Sequence, residues 1–145
     1  MKKIFSTIIV MCLTICCFAQ WEQNQDGSKA CVLDKTGDVR LVQQNDNSYA
    51  LVFSTTNSRF DKAQTYVIGK NKEEALAKMN AICTAIKNNN AEGLDGNDAA
   101  GVEHRFKAEK PEGEKNTVLM GHTDGAKGIW ILDEASAKKA LKLLK

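Results

Sequence analysis

Along most of this chain the apolar residues fall in short runs separated by turn-forming clusters, and in two places they recur every three or four positions. Segments 30–33, 39–42 and 49–53 read as strands, with Lys35-Thr36-Gly37-Asp38 and Asn45-Asp46-Asn47-Ser48 as the turns between them. A further short strand near 65–68 ends at Gly69. Ala75, Leu76, Met79, Ile82, Cys83 and Ile86 then form one stripe of an amphipathic helix. Asn71 followed by Glu74 predicts its capped start, and Asn88-Asn89-Asn90 its end. Residues 88–103 lose the apolar period and carry Glu92, Asp95, Asp98 and Glu103 without a base, which predicts a flexible acidic connection. His104, Phe106 and Ala108 alternate with Arg105, Lys107 and Glu109, the pattern of a half-buried strand. Strands follow at 117–121 and 128–132. Asp133 is placed to cap a last helix that turns Ala137, Ala140, Leu141 and Leu144 inward and sets lysines against its C-terminal dipole. Strands-helix, strands-helix, joined by hairpin-length turns, predicts an α+β fold: one antiparallel sheet of about seven strands with two helices on one face.

The start of the chain follows a different pattern. Lys2 and Lys3 precede an apolar stretch at 4–18 interrupted by Ser6, Thr7 and Thr14, and Ala19 supplies a small residue before polar sequence begins at Gln20. This is the layout of a secretory signal peptide cleaved after Ala19, and the stretch is short for a transmembrane anchor, which needs about 20 apolar residues. Lipidation at Cys16 is disfavoured by the bulky Ile15 before it. A secreted or periplasmic protein is therefore expected, with residues 20–145 as a single domain and no membrane anchor in the mature form.

Composition adds exclusions. The 145 residues hold 20 Lys+Arg against 18 Asp+Glu and are 43% hydrophobic, enough for a core and far from a disordered tail. Losing Lys2 and Lys3 leaves the mature chain uncharged overall, so no global field attracts nucleic acid. Of the five cysteines, Cys31 and Cys83 lie beyond the signal, and in an exported chain a Cys31–Cys83 disulfide is expected.

Few residues form a constellation with chemistry in it. There is no Gly-x-Ser-x-Gly elbow and no phosphate-binding glycine spacing. Asn88, Asn90, Glu92 and Gly93 match the first half of a calcium loop, but Ala99 stands where its closing glutamate belongs. His104 and His122 flank a hairpin centred near Gly113. A register pairing them, with Phe106 opposite Met120 and Ala108 opposite Val118, would bring two imidazoles and Asp124 together as a zinc site. The leading expectation is a binding module without catalytic activity. Its partner would be an extracytoplasmic protein, peptide or glycan, taken on a sheet face the helices leave uncovered. Tyr49, Phe53, Tyr66, Trp130 and Trp21 are the available aromatic anchors. The alternative is a metal-binding protein or metal-dependent hydrolase using His104, His122 and Asp124.

Overall fold

The computed structural model describes residues 21–54, 62–125 and 128–145; the predicted signal peptide and its cleavage site lie outside them. The fold is α+β. Five strands form an antiparallel meander, β1 (Glu22–Gln23), β2 (Lys29–Val32), β3 (Val39–Gln43), β4 (Tyr49–Phe53) and β5 (Gln64–Gly69). Helix α1 (Lys72–Asn88) follows. A second meander contains β6 (Gly96–Asn97), β7 (Glu103–Glu109), β8 (Val118–Thr123) and β9 (Trp130–Asp133), and helix α2 (Glu134–Leu144) closes the chain.

The expected single sheet is thus two sheets, of five and four strands. The seven strand segments anticipated from the pattern are present; the two additional strands, β1 and β6, are two residues each and too short to show a period. Between the sheets, β5 meets a loop instead of a strand. Val67 donates its N–H to the Asp98 carboxylate (3.2 Å) and accepts from the Ala99 N–H (3.0 Å), so a side chain substitutes for one rung of the ladder. The segment expected to be a flexible connection is tied to both sheets here, and it buries Leu94 and Asp98.

Both helices begin as their sequences imply. The Asn71 side chain accepts from the Glu74 N–H (2.9 Å), while the Glu74 carboxylate reaches back to the Lys70 N–H (2.8 Å). Asn89 closes α1 in the left-handed conformation, and Asp133 caps α2 by accepting from the Ser136 N–H. Helix α1 packs on β5, β7 and β8, and α2 packs on β9 and α1. Ala75, Met79, Ile82 and Ile86 of α1 meet Leu41, Leu51, Ile68, Leu119, Leu132, Ala140 and Leu144 in one core. Gly69 permits the close start of α1, since a Cβ there would lie 2.3 Å from the Ala75 backbone nitrogen.

Two hairpin turns repeat one hydrogen-bond scheme. In Asn24–Ser28 and again in Gln44–Ser48, an aspartate (Asp26, Asp46) accepts from both the backbone N–H and the hydroxyl of the following serine. Gly27 and Asn47 supply the positive φ that each turn needs.

The cysteines are not bridged: Cys31 is a buried free thiol and Cys83 a half-buried one. The expected disulfide is not formed: α1, which carries Cys83, packs on β5, β7 and β8, and β3 and β4 separate β5 from β2, which carries Cys31. Burial raises the pKa of each.

Candidate functional site

The second sheet has two faces of opposite character. On the inner face, β7 contributes His104, Phe106 and Ala108, β8 contributes Leu119, Gly121 and Thr123, and β9 contributes Trp130 and Leu132. The register pairs His104 with Thr123, Phe106 with Gly121 and Ala108 with Leu119. This is one residue away from the register that would place His104 opposite His122. His122 instead stands opposite Arg105, exposed on the outer face, and Asp124 is exposed beyond it. The structure does not bring the three expected zinc ligands together, and no group of three His, Cys, Asp or Glu side chains is arranged to hold a metal among the described residues.

The physical reason for the observed register is Trp130. Its ring lies over Gly121, where an added Cβ would be 2.1 Å from the indole, and stacks on Phe53 at 4.3 Å. Shifting β8 by one residue would put a side chain under the indole and would exchange fully buried Leu119 for Met120. Trp130 Nε1 has no hydrogen-bond partner among the described residues, which shows that ring packing decides its place. Of the aromatic residues expected as binding anchors, Phe53, Tyr66 and Trp130 are core residues, and Tyr49 is buried too.

His104 sits in this aromatic nest, fully buried, with Tyr66 edge-on at 4.7 Å between ring centroids. Its Nε2 lies 3.0 Å from Asp98 Oδ2, and its Nδ1 lies 3.4 Å from the Thr123 hydroxyl. Burial lowers the His104 pKa, with the Asp98 hydrogen bond and charge pulling the other way. A neutral imidazole then donates from Nε2 to Asp98 and accepts at Nδ1 from Thr123. Burial, followed by the nearby Asp98 charge, also pushes the Tyr66 hydroxyl well above the usual tyrosine range.

A threonine, a histidine and an aspartate in hydrogen-bonded series resemble the parts of a nucleophilic triad, but their surroundings do not suit one. The Asp98 carboxylate is saturated: Oδ1 accepts from the N–H groups of Ala100 and Val102, both at 2.9 Å, and Oδ2 from Val67 and His104. Thr123 and His104 are buried, and neither lines a described cavity wide enough for a substrate. The series joins β5, the 98–102 loop, β7 and β8. Asp98 and Thr123 were not legible as partners of His104, since Asp98 is one acid among four in an aperiodic segment. Asp95 accepts from the Phe106 N–H at 2.7 Å.

The outer face offers what the inner one lacks. Val118 and Met120 of β8, Ile131 of β9 and Ile129 just before it lie half-exposed and line a cavity of about 550 Å³, together with residues of the 109–116 hairpin loop and the start of α2. That volume lies within the range of ligand clefts, about 300–1,000 Å³. The signal in the sequence was segment 128–132, which is apolar on both faces although only one can point to the core. No protein-family model, curated protein or solved structure matches this chain.

Proposed function

We propose that this protein is an exported, non-catalytic binding module that holds an extended polypeptide segment along the outer face of its second sheet. The observation that supports this reading is the apolar floor of Val118, Met120, Ile129 and Ile131 within a walled groove, on the face turned away from the core. An extended segment places alternate side chains on one side and so matches the two-residue spacing of Val118 and Met120. Export is supported by Lys2, Lys3, the apolar stretch at 4–18 and Ala19. No helix among the described residues is long and apolar enough to cross a membrane.

The groove is tested by fluorescence anisotropy with labelled peptides that alternate valine and serine. Binding by the wild-type chain that is lost in Met120→Asp and Ile131→Asp, with both variants still unfolding cooperatively in urea, supports the reading. Equal binding by wild type and both variants refutes it. Export is tested by the intact mass of protein recovered outside the cytoplasm, which should begin at Gln20 without a lipid adduct.

A further inference from the structure

We infer that the segment held in the outer groove is basic, with a lysine or arginine flanking its apolar side chains. This inference rests on the proposed binding role and adds the chemistry of the partner. Four carboxylate residues line the groove, Glu109, Glu114, Asp133 and Glu134, and no cationic residue among the described residues does. Two of the four are compensated from outside it: Lys107 pairs with Glu109 at 2.8 Å, and Lys138 with Glu134 one helical turn away. The other two pair with no cation among the described residues. Asp133 accepts the Ser136 N–H as the cap of α2, and Glu114 makes no ion pair among the described residues.

Among the described residues the groove therefore presents carboxylates without a paired cation, Glu114 on the hairpin-loop wall and Asp133 at the start of α2, with an apolar floor. The loop's own cations, Lys110 and Lys115, do not line it. An acidic segment entering here would meet like charge, and a neutral one would leave both carboxylates unpaired. A basic segment supplies the missing partners while its aliphatic side chains cover Met120 and Ile131. Lysine and arginine suit such a margin because their stems are apolar and their heads remain in water.

The test uses three labelled peptides that alternate valine and serine, closed at both ends by lysine, glutamine or glutamate. Anisotropy is read with the full chain at low and high salt. The lysine peptide is expected to bind about fivefold more tightly than the glutamine peptide for each ion pair formed, and the glutamate peptide more weakly than either. High salt and Glu114→Lys should both shrink that preference, the latter without moving the urea midpoint. If the glutamine peptide binds as well as the lysine peptide, the charge inference is overturned while the groove remains. If the glutamate peptide binds best, it is overturned outright. If none binds, or if Met120→Asp leaves lysine-peptide binding intact, the groove reading fails and takes this inference with it.

Discussion

The two faces of the second sheet meet along β7, β8 and β9 and differ in what their side chains are doing. Inside, the residues that look chemical, Thr123, His104 and Asp98, have spent their hydrogen-bonding capacity on one another and on three backbone N–H groups. Outside, four unremarkable aliphatic residues remain half-exposed in a groove. A catalytic residue type signals function only when it keeps an unsatisfied valence facing solvent or substrate. Binding is proposed on the plain outer face instead.

The sharpest way to break this comparison is to substitute once on each face. Asp98→Asn directs an amide at donors that a carboxylate had accepted from, and should cost about 3–5 kcal/mol in urea unfolding. Met120→Asp, on the outer face, should cost about 1 kcal/mol or less. Similar losses at both positions would mean that the outer face is structural too. Gly121→Ala should be next in size, at about 1–3 kcal/mol, because its Cβ collides with the Trp130 ring. A change in Trp130 emission should accompany it.

Acid separates the faces in a second way. Because burial lowers the folded-state pKa of His104, the unfolded chain binds a proton that the folded chain refuses. The stability is fully present above the unfolded value, about pH 6.5. It falls as acid is added, by up to about 1.4 kcal/mol per pH unit, until the folded pKa is passed. Urea midpoints measured from pH 7 downward should show this slope, and His104→Gln should flatten it. The turn aspartates act in a lower window. Ser28, Thr36 and Ser48 hydroxyls hold Asp26, Asp38 and Asp46 below the usual carboxylate range, so their contribution persists until the pH falls through those lowered values. The smallest expected effect is that of reductant. With Cys31 and Cys83 unbridged, thiol labelling of unfolded, unreduced protein should find two free thiols per chain, and reductant should leave the urea midpoint in place.

Both helices, their caps and seven strands were legible because each has a local cause: a period, a turn cluster or a capping side chain. The hairpin register was not, because its cause lies in a different strand. Alternation in β7 shows that His104 and Phe106 share a face, but it does not say which residues of β8 lie across from them. Gly121 decides that by making room for Trp130, a contact between strands that neither segment announces alone. The division into two sheets was hidden for a related reason. Asp98 takes the place of backbone beside Val67, and no propensity for strand marks a residue that joins a sheet by its side chain. The candidate site was legible only as a surplus, in a strand more apolar than a single buried face requires.

Three amides, those of Val67, Ala100 and Val102, depend on one carboxylate for their hydrogen bonds. In deuterium exchange they form a natural reporter set, spread over 36 positions of sequence but governed by a single acceptor. The Phe106 N–H of β7 answers to a different carboxylate, that of Asp95, and the N–H groups of the β-ladders open with their neighbouring strands. If the seam between the sheets loosens before the core does, these three amides should gain deuterium together and early. The place where the two halves of the molecule begin to part would then be visible without any substitution.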